Sequence, residues 1–208
     1  FKNIIISVKD YNKKIIFSAV EDNKYLLSPK YGTFSNIRVN TTDPYVIKKL
    51  INKLLLRLKK NYKDFFLTLP PYFYNQNLKL ITNELLLRGA IIEKREINNH
   101  IICSHKNEFS KGNKKKLKKL FKEKFSFRKG SFDELRSAYN IIKENRSLKS
   151  YKVSISFEKL EALVKKFNNK FKIWFVSNQL NKPVASAITI DMIENVRYVF
   201  YWGDKLRK

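Results

Sequence analysis

The pattern of apolar and polar residues predicts three consecutive strands at the C-terminal end of the chain. Residues 171–204, FKIWFVSNQLNKPVASAITIDMIENVRYVFYWGD, contain three runs rich in β-branched and aromatic residues, separated by short polar segments. Such a series is typical of an antiparallel meander. Aromatic residues occupy both odd and even positions from Tyr198 to Trp202, which predicts a last strand that is covered on both faces.

The first half of the chain predicts strands interrupted by two helices. Thr42-Asp43-Pro44 has the residues of a helix start, and Gly89 has the position of a helix C-cap. The predicted elements are a hairpin of residues 4–8 and 14–20, short strands at 25–27 and 34–39, a helix from 44 to about 61, a buried strand at 64–69, a helix at 78–88, and one bent strand or two within 90–104.

A basic segment separates this half from the next. Lys and Arg supply 11 of the 24 residues from 106 to 129, while Leu117, Leu120, Phe121 and Phe125 form one stripe at helical spacing. This pattern predicts a basic amphipathic helix that lies on an apolar surface. We therefore predict a first domain at residues 1–108, a basic linker helix at 109–124 and a second domain at 125–208.

The second domain is predicted to begin with a strand at residues 125–128 and two helices before the meander. Ser131, three residues before Glu134, has the spacing of a capping box, and Ser156 opens the second helix, which reaches about residue 166. The predicted fold class is α/β (α+β), with mixed, mostly antiparallel sheets flanked by helices.

The formal net charge of +26 predicts an anionic partner such as a nucleic acid, a nucleotide or an acidic membrane. A second explanation stays open, because the abundance of Lys, Asn and Ile is also what an AT-rich genome encodes. Cys103 alone excludes an internal disulfide and fits a reducing compartment. No metal site is expected, since His100 and His105 lie on opposite faces of a predicted strand, and no apolar run is long enough to cross a bilayer.

Three groups of polar and aromatic residues are candidate binding positions. They lie at the end of the last strand, at the end of the helix that follows Glu134, and in two loops with aromatic tips. Each group also has a purely structural explanation. The strand residues could pack in the core, the charged residues could form a solvated helix end, and the loop aromatics could hold their loops against the domain. The candidates are Tyr201, Trp202 and Asp204 on the strand, Glu144, Asn145, Arg146 and Tyr151 at the helix end, and Tyr31 and Tyr72 in the loops.

Acyl transfer is compatible with a chain that shows no catalytic triad. The reaction requires a base or a water molecule to take the proton of the acceptor, and a donor to hold the developing oxyanion. A backbone N–H on a splayed or bulged strand is such a donor and leaves little trace in a sequence. The five glycines form no phosphate-binding loop of a known pattern.

Several segments, taken in order, resemble FemABX-like proteins, which are transferases built from tandem GNAT domains. The segments are SPKYGTFSNI, LPPYFY, NELLLRGA followed by EINNHI, SKGNKKKLKK, ENRSLKSY, PVASAI and YVFYWGD. The resemblance implies two GNAT-like domains with a cleft between them. It also implies an acyl-CoA or aminoacyl-tRNA donor, and an amine or hydroxyl acceptor on a sugar or peptide precursor of the cell wall or surface polysaccharide.

The chain departs from this family at its ends. The phosphate-cradling loop of GNAT proteins should follow YVFYWGD, where the sequence stops, and the chain begins at Phe1. We therefore expect a chain truncated at both ends, with an incomplete second domain, and inactive by itself. No residue matches a catalytic motif of the family, so the catalytic residues stay unassigned.

The leading hypothesis is an N- or O-acyltransferase that acts on a cell-wall or surface-polysaccharide precursor in the cytoplasm or at the inner face of the membrane. The alternative is a non-enzymatic RNA-binding protein that uses the basic segment 111–124. The same segment is also a candidate for peripheral contact with a membrane surface. No protein partner is inferred.

Overall fold

The computed structural model describes residues 2–28, 34, 36–97, 101, 109–193 and 196–205. The chain divides into two compact units, Phe1–Asn99 and His100–Lys208, each with its own hydrophobic core. The described residues form five α-helices and two mostly antiparallel sheets, which confirms the predicted α/β (α+β) class. The predicted domain boundaries stay a prediction.

The first unit is a sheet packed against a long helix. Asp43 caps this helix, because its carboxylate accepts the N–H groups of Tyr45 at 2.9 Å and Val46 at 3.4 Å. The sheet has the order β1-β2-β3-β5, with β4 also paired to β2. The elements are β1 (Lys2–Asp10), β2 (Lys13–Asp22), β3 (Tyr25–Leu27), β4 (Asn36–Val39), α1 (Pro44–Asn61), β5 (Asp64–Phe66), a short 3-10 helix (Tyr72–Tyr74) and α2 (Leu78–Leu87).

An ion-pair cluster joins the β1–β2 hairpin to α1. Asp10, the last residue of β1, accepts from the Lys53 ammonium at 2.7 Å and lies 3.0 Å from the Lys49 ammonium. These two hydrogen-bonded lysines, Lys53 first, hold the pKa of Asp10 below its usual value. The cluster therefore stabilises the position of the hairpin tip against the helix.

Two strand predictions in the first unit are wrong. The strand predicted at 64–69 is shorter and not buried: β5 pairs in parallel with β3 at the end of the sheet order, and Phe66 is 43% exposed. Residues 90–97 form no strand, and Ile91 and Ile97 are exposed. Their alternating pattern fails because no described strand lies beside them to supply hydrogen bonds. Most of the remaining predicted segment, 98–104, lies outside the described residues.

The second unit places two helices on one face of a four-stranded antiparallel sheet. Its strand order is β6-β7-β8-β9, and α4 packs on β7, β8 and β9. The meander predicted from the sequence is confirmed. The elements are α3 (Lys111–Lys122), β6 (Ser126–Gly130), α4 (Leu135–Leu148), α5 (Phe157–Lys166), β7 (Phe171–Ser177), β8 (Pro183–Ile193) and β9 (Val196–Asp204).

The predicted basic helix is confirmed as α3, but its apolar stripe is not buried. None of its residues is buried, and Phe121 is 74% exposed. The expected apolar surface beneath this helix is therefore not found among the described residues.

A β-bulge in β9 overturns the prediction of a strand covered on both faces. Tyr201 lies opposite Ile188 and Val199 lies opposite Thr189, so Phe200 is an extra residue with no opposite partner on β8. The side chains of Phe200 and Tyr201 consequently lie together on the core side, with ring centroids 4.4 Å apart. Phe200 and Tyr201 thus share one face, whereas Val199 and Trp202 lie on the other face of β9, which is exposed.

Helices α2, α3 and α4 end in the same hydrogen-bonded motif. After α4, the N–H of Ser150 bonds to the carbonyl of Ser147 at 3.0 Å and the N–H of Tyr151 bonds to that of Arg146 at 2.8 Å. This pair of bonds is a Schellman motif, which requires a left-handed residue. Ser150 has a φ of 59°, whereas the same position after α2 is Gly89, with a φ of 92°.

Ser150→Gly should stabilise the protein by about 1 kcal/mol, because glycine adopts left-handed backbone without the steric cost that serine bears. Urea unfolding followed by circular dichroism measures this change. The matched control is Gly89→Ala, which should destabilise the protein by a similar amount. An added Cβ meets no atom within 4 Å, so the cost comes from the left-handed backbone conformation of this residue and not from a clash. A destabilised Ser150→Gly variant would contradict the expectation.

Glu134 joins the start of α4 to β6. Its carboxylate accepts two hydrogen bonds from the Arg128 guanidinium, at 2.6 and 2.9 Å, and one from the N–H of Ser131 at 3.0 Å. These donors, Arg128 first, lower the pKa of Glu134 from 4.5 to about 2. The last bond confirms the predicted pairing of Ser131 with Glu134.

The stabilisation from Glu134 should disappear in acid. Because the folded pKa lies below the unfolded one, this contribution is complete above pH 4.5 and is lost as the pH falls to about 2. Solvent screening of two partly exposed side chains limits it to about 1 kcal/mol or less. The difference in Tm between the wild type and Glu134→Gln should therefore narrow as the pH falls through this range. A difference independent of pH would contradict the expectation.

Candidate functional site

The candidate site lies where the end of β9 meets the C-terminal turn of α4. Asn145 on α4 is only 3% exposed, and its side-chain amide donates to the backbone carbonyl of Asp204 at 2.8 Å. The same amide also donates to the Asp204 carboxylate. Asn145 and Asp204, which were predicted separately, thus form one partly buried polar contact across 59 residues of sequence.

Gly203 permits this close approach of strand and helix. A Cβ at position 203 would lie 2.9 Å from the Cα of Ile142 and 3.0 Å from the Cβ of Asn145, closer than side chains pack. The neighbouring backbone of α4 has no room to move aside without shifting the helix. Gly203 therefore determines how near β9 comes to α4.

A pair of hydroxyl groups lies beside this contact. Tyr201 is 7% exposed, and its hydroxyl lies 2.5 Å from the Ser154 hydroxyl in the segment between α4 and α5. Tyr139 on α4 donates its hydroxyl to the carbonyl of Ile155 at 2.9 Å. Burial raises the pKa of Tyr139, so this hydroxyl stays protonated and acts as a hydrogen-bond donor at neutral pH.

Cationic side chains border the buried groups. The guanidinium of Arg146 lies 5.9 Å from the centre of the Tyr201 ring, and the ammonium of Lys149 lies 5.6 Å from that of Trp202. Trp202 is 57% exposed. This edge of the unit therefore carries two positive charges beside aromatic rings, a combination that suits an anionic ligand with an apolar part.

Within the second unit, Glu144 and Tyr151 do not belong to this buried group. Glu144 is exposed on α4. Tyr151 is 63% exposed, and its backbone N–H donates to the carbonyl of Arg146. Tyr72 belongs to the first unit and is 54% exposed on the short 3-10 helix. In that helix Phe73 and Tyr74 stack with their centroids 4.8 Å apart. Tyr31 lies outside the described residues.

Sequence reasoning missed Ser154, Tyr139 and Gly203 as members of the site. The sequence contained a signal for Gly203, because a glycine inside a predicted strand often marks a place where another backbone approaches closely. Ser154 and Tyr139 had none, since their roles depend on how the segment between α4 and α5 folds over β9. Ser154 acts through its hydrogen bond with the Tyr201 hydroxyl, and Tyr139 acts through its hydrogen bond to the carbonyl of Ile155.

The described residues contain no group of three or more His, Cys, Asp or Glu side chains that could hold a metal ion. His100, Cys103 and His105 lie outside them. Within the same residues, no helix has both the length and the apolar character needed to cross a bilayer.

Gly203→Ala should destabilise the protein by about 1–3 kcal/mol, because the new methyl group forces β9 away from α4. The matched control is Gly112→Ala on α3, where an added Cβ meets no atom within 4 Å. That variant should be unchanged or up to about 1 kcal/mol more stable, as alanine favours helix. Urea unfolding of both variants measures the difference; equal effects would contradict the close-packing role of Gly203.

Comparison with known proteins gives this chain no family. No protein-family model matches the sequence, and no curated protein matches it. The likeness to FemABX-like transferases therefore stays a hypothesis carried by the quoted segments.

Proposed function

We propose that this protein is an N- or O-acyltransferase of the FemABX/GNAT type, acting on a sugar or peptide precursor of the cell wall or surface polysaccharide. The donor is an acyl-CoA or an aminoacyl-tRNA, and the reaction takes place in the cytoplasm or at the inner face of the membrane. The bulge in β9, beside the buried polar group of the second unit, is the observation that carries this proposal.

Acyl transfer needs a hydrogen-bond donor for the oxyanion, and a β-bulge is a place where the backbone N–H groups of a strand leave the regular ladder. Phe200 has no opposite residue on β8, so the ladder is disrupted where β9 passes the core. Backbone N–H groups at such a point are rigid dipoles, held by the packing of Phe200 and Tyr201. Rigid donors beside a developing negative charge lower the barrier because they need no reorganisation during the reaction.

The proposed reaction uses these backbone N–H groups as hydrogen-bond donors. The amine or hydroxyl of the acceptor attacks the donor's carbonyl carbon, and the carbonyl oxygen becomes an oxyanion that accepts hydrogen bonds from the N–H groups of the bulge. The new bond to nitrogen or oxygen forms as the bond to the CoA sulfur or to the tRNA ribose oxygen breaks. The proton lost by the acceptor passes, directly or through water, to the departing group.

The charge distribution supports an anionic donor. Arg146 and Lys149 lie at the same end of β9 as Tyr201 and Asp204, and the whole chain carries a net charge of +26. Both CoA and tRNA are polyanions, and a positive field raises their local concentration and their rate of association. Ser154 and Asn145 hold Tyr201 and Asp204 in place and so position the strand that carries the bulge.

The test uses the purified full-length protein. Labelled acyl-CoA or aminoacyl-tRNA is incubated with an amino-sugar acceptor, and we expect the label to move to the acceptor. Deleting Phe200 restores a regular ladder and should lower the rate about a hundredfold or more, the usual cost of losing an oxyanion donor. The matched control Phe200→Leu keeps the extra backbone unit and should keep most of the activity.

Three results would count against this function. One is no transfer from any donor in a broad panel, and another is equal activity of the Phe200 deletion and the wild type. The third is RNA binding without transfer. That result would favour the alternative that α3, in which seven of twelve residues are lysine, contacts phosphates. In that case affinity falls steeply with salt and is lost when those lysines become glutamine.

A further inference from the structure

Helix α3 of the second unit has a well-formed backbone but no side chain in a core. The hydroxyl of Ser110 accepts the N–H of Asn113 at 3.3 Å at its start, and the N–H groups of Lys124 and Phe125 bond to its last carbonyls at 3.0 Å. None of its residues is buried, and no other described element of that unit packs extensively on it. A helix of twelve residues is marginal in water by itself, so a surface that covers α3 would stabilise it.

The side chains of α3 divide into two faces. With 3.6 residues per turn, Leu117, Leu120 and Phe121 fall within an arc of about 100°, which also contains Asn113. Leu120 is 38% exposed and Phe121 is 74% exposed. The opposite arc of about 200° holds all the lysines of the helix. They are Lys111, Lys114, Lys115, Lys116, Lys118, Lys119 and Lys122.

The lysine face carries charge that nothing within the helix balances. The helix contains no acidic residue, and lysines four positions apart, such as Lys118 and Lys122, repel each other and destabilise it. Just beyond the helix, Glu123 lies 3.8 Å from the Lys119 ammonium, but the side chain of this lysine is 72% exposed, so the pair contributes little. An anionic surface beside α3 would relieve this repulsion.

The apolar stripe distinguishes among the possible partners. A nucleic acid is bound by cations on its phosphates and by aromatic rings on its bases, which would leave Leu117 and Leu120 in water. A second copy of α3, packed stripe to stripe, would bring together the lysines that border the stripe, Lys114 and Lys116. The headgroup region of an acidic bilayer suits both faces, because leucine and phenylalanine enter the acyl boundary while lysine stems extend to the phosphates.

We infer that α3 lies on the surface of membranes that contain acidic phospholipids, with its axis in the plane of the bilayer and its apolar stripe inserted. The helix does not span the bilayer, since twelve residues are fewer than the roughly 20 that a crossing requires. The inference goes beyond acyl transfer and does not rest on it, because α3 contributes no residue to the group formed by Asn145, Tyr201 and Asp204.

The test is sedimentation of the 208-residue chain with vesicles, in the absence of any acyl donor or acceptor. The vesicles contain phosphatidylcholine alone, or two parts phosphatidylcholine and one part phosphatidylglycerol. We expect binding to the mixed vesicles that weakens as salt is added, and binding at least about tenfold weaker to phosphatidylcholine alone. Because the whole chain carries a charge of +26, variants must show that α3 is the part that binds.

The first variant removes charge from α3 and leaves its apolar stripe. Each lysine near an acidic surface strengthens binding roughly fivefold, so Lys115→Gln, Lys118→Gln and Lys122→Gln together should weaken it about a hundredfold. The matched control removes three exposed lysines of the first unit and has the same net charge. It combines Lys9→Gln, Lys59→Gln and Lys60→Gln, and it should retain nearly all of the binding.

The second variant removes the apolar stripe and leaves every charge. Leu120→Gln with Phe121→Gln should weaken vesicle binding at least about tenfold, because insertion depends on buried apolar area. Its Tm should stay close to that of the wild type, since both side chains are exposed and glutamine favours helix. The matched control is Leu56→Gln with Leu87→Gln, at positions 63% and 78% exposed on α1 and α2, and it should bind as the wild type does.

Four outcomes would overturn the inference. The first is no binding to the mixed vesicles, and the second is equal binding to both kinds of vesicle. The third is equal loss of binding in the α3 lysine variant and its control, or no loss in the stripe variant; oligouridylate binding that needs only the lysines would then assign α3 to RNA. The fourth is a stripe variant with a much lower Tm, or with loss of a dimer seen by light scattering, which would show that the stripe packs on protein.

Discussion

The close approach of β9 to α4 at Gly203 is the constraint on which the second unit depends. With no side chain between them, the strand comes near enough for the Asn145 amide to reach the backbone of Asp204. The same approach brings the Tyr201 hydroxyl beside Ser154. Removing a buried amide from such a contact would leave an acceptor unsatisfied, so packing and polar complementarity reinforce each other. The candidate site is therefore a consequence of how strand and helix pack.

Much of the fold could be predicted because its elements have short-range signals. The β1–β2 hairpin, the Asp43 cap of α1 and the β7–β9 meander each follow from alternation, capping residues or turn residues within about ten positions. The bulge at Phe200 could not be predicted, since it depends on the register against β8. Residues 90–97 have a strand-like pattern, but a strand forms only where a neighbour accepts its hydrogen bonds.

The site was predicted in pieces and not as a whole. The sequence pointed separately to Asn145 and Arg146 at a helix end and to Tyr201 and Asp204 at a strand end. Their contact spans 59 residues and depends on the tertiary fold. Glu144 differs from Asn145 by one position yet is exposed, because one step along a helix turns a side chain by about 100°. Neighbouring polar residues of α4 therefore differ in burial according to the face of the helix on which they lie.

The cluster at Asp10 has a consequence for how the chain responds to ionic strength. Added salt weakens ion pairs that solvent can reach, such as those of Asp10 with Lys49 and Lys53. It also screens the mutual repulsion of a chain with 44 basic and 18 acidic residues, which acts over the whole surface. Guanidinium chloride is a salt as well as a denaturant and mixes these opposing effects with unfolding. Urea is uncharged and does not screen these charges, so urea unfolding at a series of salt concentrations reports the electrostatic contribution to the stability of this protein.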